Sequence, residues 1–515
     1  MAKGVEHSQW QIVPQRSSRR GFRLLQRSGE TQTAGGSSAS EPLGGVKKHP
    51  GQNAEPRRLV VVSNRLGNIR DLSQAGGLAV GVADALADRG GLWLGASAEH
   101  RDTAAGDEPL IHLERLGRIE TAALSLPREA YSLYYNGYAN STLWPLFHYR
   151  LDLVDHRSEF LHAYRHINAR FAEALARLLT GKDDLIWIHD YHLIPLAAEL
   201  RRLGIGNRIG FFLHIPFPPP DLFVATPDHE ELIDDLLRYD VLGFQTETDV
   251  ANFRRSVRAT NSITFDINGT AEANGRTIVS RSFPIGIDVG AFARMAREAS
   301  QDVQIDTMRR QILGLKQIIG VDRLDYSKGL PGRMQAFARL LERHPEHQRA
   351  ATYLQIASPT REEVGAYAEI RAQLEATAGS VNGKYADLAW TPIRYIHRAV
   401  PRTRLAGLLR ASQVGLVTPL RDGMNLVAKE FIAAQDPADP GVLVLSRFAG
   451  AAEELAEAVI VNPYSIDDVA DAIAKALTMP LEERVERHGA LLTRISRNDA
   501  AEWCRSFLAA LAGES

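Results

Sequence analysis

Residues 414–430 read VGLVTPLRDGMNLVAKE: an apolar run, a charged loop, then a helix-like run. Arg421, Asp422 and Gly423 occupy the loop, and Lys429 and Glu430 stand near the start of the run that follows. In an open α/β sheet, ligands collect where strands end and helices begin. A helix N-terminus there offers unpaired N–H groups to anions. A charged loop at that point, with a carboxylate one or two helical turns further on, suits a polyol or a sugar nucleotide. A second such place follows the apolar run 318–321, at Asp322-Arg323-Leu324-Asp325-Tyr326-Ser327-Lys328-Gly329. Two cations on a loop entering a helix can neutralise a diphosphate from two sides, Arg as a planar fork and Lys as a point charge. Most Arg/Lys pairs are solvated surface charges, but few lie between a buried strand and a Gly-terminated loop.

Other apolar runs also end on polar residues. After 59–62 come Ser63, Asn64 and Arg65, then a polar loop and Ala75-Gly76-Gly77-Leu78 opening a helix. A Gly pair admits close approach of backbone to a phosphate; a tight turn into a packed helix explains it equally well. After 185–188 comes His189-Asp190-Tyr191-His192. Two imidazoles and a carboxylate suggest a metal, but no further ligands with zinc-like spacing follow, so a polar strand end facing a cleft is the better reading. After 209–213 comes His214, held by the Pro-rich turn Ile215-Pro216-Phe217-Pro218. A lone histidine is commonly a satisfied core residue, and its place at a strand end adds weight. After 353–356 a polar loop carries Arg361, which reads as an anion contact or as an exposed loop arginine. Asp266-Ile267-Asn268-Gly269-Thr270 resembles the nucleophile motif of haloacid-dehalogenase-type phosphatases. Asn268 stands where the acid/base carboxylate belongs, so the run reads as a turn.

These strand ends need a scaffold. Apolar runs at 59–62, 185–188, 209–213, 241–244, 318–321, 353–356, 414–417, 442–445 and 459–461 alternate with helix-like stretches. Continuous apolar strands joined by helices indicate parallel sheets covered on both faces. They are too many for one comfortable sheet, so two doubly wound α/β domains are expected, with Pro284-Ile285-Gly286-Ile287-Asp288 as the hinge. The 515 residues suffice for two or three domains. Sixty basic residues against 62 acidic ones leave a net charge of −2, which does not suit a nucleic-acid coat or a membrane-surface protein. Cys504 is the only cysteine and fits a reducing compartment. No apolar run approaches the ~18 residues of a membrane span. Residues 1–56, Ser-, Gly- and Gln-rich in places and without periodicity, read as a disordered extension.

RLVVVSNR (58–65), AGGLAVG (75–81), LWP and FHYR (143–145, 147–150), WIHDYHL (187–193), GFFLHIPFP (210–218), RLDYSKG (323–329), NGKY (382–385) and TPLRDGMNLVAKE (418–430) resemble the motifs of the trehalose-6-phosphate synthase family. The resemblance runs from Arg57 to about Leu508. It implies a GT-B fold, with two Rossmann-like domains facing each other across a cleft. The implied division is 57–288 for the acceptor, 289–488 for the nucleotide sugar, and a helix in 489–515 that packs back on the first domain. The implied reaction moves glucose from UDP-glucose to glucose 6-phosphate with retention, giving α,α-trehalose 6-phosphate and UDP, without metal or cofactor.

By matching motif position, the Gly77 backbone meets the diphosphate, and Arg323 and Lys328 bind it and offset charge on the leaving UDP. Asp422 holds hydroxyls of the transferred glucose, with Gly423, Met424, Asn425 and Leu426 beside it, Glu430 on the ribose and His214 on the donor sugar. Arg323, Lys328, Asp422 and His214 form the implied catalytic set. Arg65, Tyr135, Trp144 and Arg361 surround glucose 6-phosphate, and Asp190 touches the acceptor sugar. No carboxylate is placed as a glycosidase-type nucleophile. The implied route is a front-face displacement in which the leaving phosphate helps deprotonate the incoming hydroxyl. Expected partners are small-molecule substrates, not nucleic acid or membrane, and the expected state is a cytoplasmic homo-oligomer, dimer or tetramer.

Three departures stand out. The loop 66–74 lacks the family's proline-containing pattern, Gly95-Ala96-Ser97-Ala98 replaces GWSG, and Asp322 replaces a more usual Glu, which reads as a minor change. The nearest alternative is a sibling transferase using glycerol 3-phosphate or a cyclitol phosphate. Another is a non-catalytic sugar-phosphate sensor, which has no leaving group for Arg323 and Lys328 to stabilise. Arg421 receives no role.

Overall fold

The computed structural model describes the strand Ile12–Pro14 and residues 57–66, 82, 86, 90–98, 110–311, 313–360 and 365–514. The expectations attached to the rest of 1–56, to the loop 67–74, and to Gly77 and Arg361 fall outside the described residues.

All nine apolar runs form strands, and they sort into two sheets. The first has ten strands in the order Ile12–Pro14, Ile111–Leu116, Ile119–Leu124, Gly91–Ala96, Leu59–Arg65, Leu185–His189, Ile209–Phe212, Val241–Phe244, Arg276–Ser282 and Thr270–Ala273. Its pairings are parallel except at 111–124 and at 270–282. The second is wholly parallel, in the order Ile393–Ile396, Ala351–Ser358, Lys316–Arg323, Val414–Val417, Val442–Ser446 and Val459–Val461. Central strands such as Val414–Val417 are buried throughout, which is why their sequences are unbroken apolar runs. The strands that the runs do not reveal are mostly outer ones. Ile111–Leu116 (IHLERL), for example, is only part-buried and mixes polar with apolar residues. Asp266 does begin a turn: its Oδ1 accepts from the amides of Asn268 (2.9 Å) and Thr270 (2.8 Å). The hairpin itself turns at Asn274-Gly275, where both residues have positive φ.

One apolar cluster fills the face of the first sheet under the helix Ser158–Leu178, and another covers the outer face of the second sheet. A third joins the two sheets, taking in Trp187 and Phe212, Ile285 and Ile287 of the connecting segment, and Ile319 and Phe431. The last helix, Ala500–Ala512, lies against the first sheet, with the Phe507 ring 4.6 Å from that of Trp187. Glycines make room for it: a Cβ at Gly210 or Gly243 would come within 2.8 or 2.7 Å of the Phe507 ring. The connecting segment is anchored by Lys429, fully buried, which donates to the Ile285 carbonyl (2.8 Å) and pairs with Glu454 (2.5 Å). Burial lowers the Lys429 pKa, and Glu454 opposes that shift.

Candidate active site where the strand ends face each other

Two loops of the second sheet lie side by side. The strand Lys316–Arg323 passes into a single turn, Tyr326–Lys328, that Asp325 caps by accepting from the Ser327 amide (2.9 Å). Gly329 ends it at φ +66°, where a Cβ would be 2.6 Å from the Thr418 carbonyl, so glycine serves both the turn and the packing. The Leu420 amide then donates to the Ser327 carbonyl (2.8 Å). Lys328 Nζ pairs with Asp422 Oδ2 at 2.5 Å, and Asn425 Nδ2 donates to the same oxygen (2.9 Å). Asn425, at φ +75°, precedes the helix Leu426–Ala434. The carbonyls of Asp422 and Met424 accept from the amides of Gly450 and Ala451.

The two expected cations are therefore unlike each other. Lys328 is buried and paired, whereas Arg323 is exposed and has no carboxylate partner among the described residues. The Arg323 guanidinium lies 5.6 Å from the Trp144 ring centre, on the first sheet's side of the cleft. Glu430 is part-buried against Arg402 (3.2 Å); burial raises its carboxyl above the usual range, and Arg402 pulls it back.

Across the cleft, Asp190 turns the chain out of the strand Leu185–His189 at φ +74° and accepts from the His214 amide (3.1 Å). His189 Nδ1 lies 3.1 Å from His214 Nε2. Burial depresses both imidazoles, His214 to about 3 and His189 well below its usual value, where the neighbouring His214 adds to the effect of burial. Both rings are therefore neutral near pH 7, and one donates to the other. The His214 carbonyl meets Gly423 so closely that any Cβ at 423 would collide with it. The ends of strands from the two sheets are in direct contact at this point.

The expected acceptor residues cluster on aromatic rings. Arg65 Nε donates to the Tyr131 hydroxyl (2.9 Å), and its guanidinium sits 4.5 Å from the Tyr135 ring centre. Tyr135, on the π-helix Leu133–Leu143, stacks between Tyr131 (5.4 Å) and His192 (5.6 Å). Trp144 is buried beside His148, whose ring centre is 4.1 Å away and whose Nδ1 is 2.8 Å from the Trp144 carbonyl. Gly95 survives the GWSG departure for a physical reason. A Cβ there would come within 2.6 Å of the Leu66 amide and 2.8 Å of the Arg65 carbonyl carbon. Among the described residues, no three of His, Cys, Asp and Glu gather as metal ligands.

Four further residues position the site. Arg333, 1% exposed, donates to Asp322 (2.8 Å), to the Thr418 hydroxyl (3.1 Å) and to the Lys328 carbonyl (3.0 Å), tying both loops together. Asp322, the residue standing where Glu is more usual, is the buried counter-charge of Arg333. Arg402 orients Glu430. Arg421 finds its place as a clamp between the sheets, its guanidinium 4.1 Å from the Tyr149 ring centre and 5.0 Å from that of Phe448. Tyr149 itself is held at φ +63°.

His148 is the fourth. Burial lowers its pKa to about 4, against the opposing influence of Asp325, and its Nε2 has no hydrogen-bond partner among the described residues. The folded pKa lies below the unfolded value of about 6.5, so falling pH protonates the unfolded chain first. His148's contribution is full above pH 6.5 and is lost progressively toward pH 4. Urea unfolding of the protein and of His148→Asn at pH 7 and 4.5 is expected to show the native chain losing roughly 2–3 kcal/mol more than the variant. A parallel fall in both would refute it.

Facing parallel sheets, with a cation and an ion pair on one set of strand ends and histidines, aromatics and a second arginine on the other, make a two-sided cleft. The sequence profile of glycosyltransferase family 20 matches residues 57–513. The chain belongs to this family. A trehalose-6-phosphate synthase of Enterobacter sp. (strain 638) is 49% identical over 454 residues, covering 88% of this family 20 chain and 94% of the relative. An α,α-trehalose-phosphate synthase (UDP-forming) from Burkholderia xenovorans, solved in complex with glucose 6-phosphate, superposes with a TM-score of 0.84 at 47% identity. The alignment covers 88% of this chain and 99% of that one. The E. coli enzyme bound with UDP-2-fluoro glucose gives a TM-score of 0.83 at 46% identity, again over 88% and 99%. The two facing sheets are the GT-B fold of these glycosyltransferases.

Proposed function

We propose that this family 20 chain transfers glucose from UDP-glucose to glucose 6-phosphate with retention of configuration, forming α,α-trehalose 6-phosphate and UDP. The observation that carries the reading is the exposed, unpaired Arg323, which stands beside the Lys328–Asp422 pair and faces Trp144 across the cleft. A free guanidinium in that position suits a diphosphate whose sugar points at the first sheet. The ligands bound by the Burkholderia and E. coli relatives, glucose 6-phosphate and a fluorinated UDP-glucose, correspond to its acceptor and donor.

On this reading Arg323 and Lys328 bind the diphosphate, with the Gly77 backbone beside it. Asp422 is held in place by Lys328 and Asn425 and accepts from hydroxyls of the transferred glucose. Gly423, Met424, Asn425 and Leu426 line the donor, and Glu430, oriented by Arg402, takes the ribose. Neutral His214 faces the donor sugar. Arg65, Tyr135, Trp144 and Arg361 receive glucose 6-phosphate, and Asp190 its hydroxyls.

One observation favours front-face displacement over a covalent intermediate: the carboxylates nearest the strand ends, Asp190, Asp322, Asp325 and Asp422, are all engaged in hydrogen bonds or ion pairs. As the bond from the anomeric carbon to the phosphate oxygen breaks, negative charge grows on UDP, where Arg323 and Lys328 lower its energy. The acceptor hydroxyl bonds to the same face of that carbon, and its proton passes to the departing phosphate.

Purified protein is expected to release UDP from UDP-glucose only when glucose 6-phosphate is present. Equal release with glycerol 3-phosphate would identify the sibling transferase instead, and no release with either acceptor would leave the sensor reading.

A further inference from the structure

A groove of about 430 Å³ opens on the flank of the second sheet. That volume is within the roughly 300–1,000 Å³ usual for small-molecule sites. None of Arg323, Lys328, Asp422 or Glu430 lines it. It runs from the strand end Ile396 and the loop 398–401, beside Arg402, along the flank of the sheet to Gln317, near the start of the strand whose last residue is Arg323.

The groove combines three features. Ile305, Leu354, Ile396 and Leu408 give it apolar walls. Arg394, Arg398 and Arg404 line it, and among the described residues no carboxylate does and none of the three has an ion-pair partner. The buried Nε of Arg404 has no hydrogen-bond partner either. The third feature is Gln317, 0% exposed, whose Nε2 donates to Ser412 Oγ (2.8 Å). The Ser412 hydroxyl spends its own proton on the Leu408 carbonyl (2.8 Å), so it can only accept from Gln317. That fixes the amide's orientation and leaves Gln317 Oε1 buried without a partner. Gln317 is thereby sealed beneath the groove, and the three unpaired guanidiniums beside the apolar walls hold positive charge that an anion with an apolar body would balance.

We propose that this groove is a second ligand site, distinct from the cleft, for a small organic phosphate with a flat apolar body. The phosphate would sit on the arginines and the ring against Ile305 and Leu354.

The test is calorimetric titration of 4-aminophenyl phosphate into the full chain saturated with both UDP and glucose 6-phosphate, which fill the two sides of the cleft and keep the probe out of it. One saturable site is expected, at least tenfold weaker in the double variant Arg394→Gln/Arg404→Gln and absent for the uncharged 4-aminophenol. UDP affinity and turnover are expected to be unchanged in that variant, which shows that it folds and separates this test from that of the transferase reading. No saturable heat, equal binding of 4-aminophenol, or undiminished affinity in the double variant would overturn the proposal.

Discussion

Arg323→Ala is expected to lower kcat by about 10²–10³-fold while the KM for glucose 6-phosphate stays within a few-fold of the native value. The expectation rests on how the two cations are held. Lys328 is committed to Asp422 at 2.5 Å, so removing it would also strand a carboxylate and confuse the result. Arg323 is exposed and unpaired, so its loss breaks no ion pair and leaves the fold intact. Its charge is of most use when the phosphate oxygen carries its fullest negative charge, which is in the transition state rather than in the bound acceptor. Steady-state kinetics with each substrate varied in turn make the measurement. A rise in the glucose 6-phosphate KM with little change in kcat would place the guanidinium on the acceptor instead.

Arg333→Met should produce the largest loss of stability of any single change considered, about 3–5 kcal/mol. The native side chain is 1% exposed and donates from its guanidinium to Asp322, Thr418 and the Lys328 carbonyl. Methionine fills similar space but leaves Asp322 buried without its counter-charge. Burial already raises the Asp322 pKa, with Arg333 as the main opposing influence, so the variant would also take up a proton there. Removing both charges, in Arg333→Met/Asp322→Leu, is expected to recover most of the loss, because the penalty belongs to the orphaned carboxylate. Denaturant unfolding of the three proteins decides it. If the double variant is no more stable than the single one, the cost arises from lost contacts with Thr418 and Lys328, not from charge.

The strands that build the site were legible because burial on both faces leaves an unbroken apolar run, and a polar residue just past it marks a strand end. Arg323, Lys328, Asp422, Asp190 and His214 could be picked out in that way. Strands with one polar face, such as Ile111–Leu116, give no such run. Arg333 lies at helical spacing from Leu330 and Phe337, which marks its face as buried, but nothing near it in sequence identifies Asp322 and Thr418 as its partners.

By itself, then, the sequence determined which cations, carboxylates and histidines lie at strand ends, while the aromatics Tyr135 and Trp144, which are helical, entered only through the family resemblance. Only the tertiary structure decided who partners whom. Lys328 and Asp422 are 94 positions apart, His189 and His214 are 25, and Arg421 is clamped between rings of different sheets. Hydrophobic periodicity is a local property of the chain. The partner of a charge depends instead on which strands become neighbours and on where glycines such as Gly423 let two loops touch.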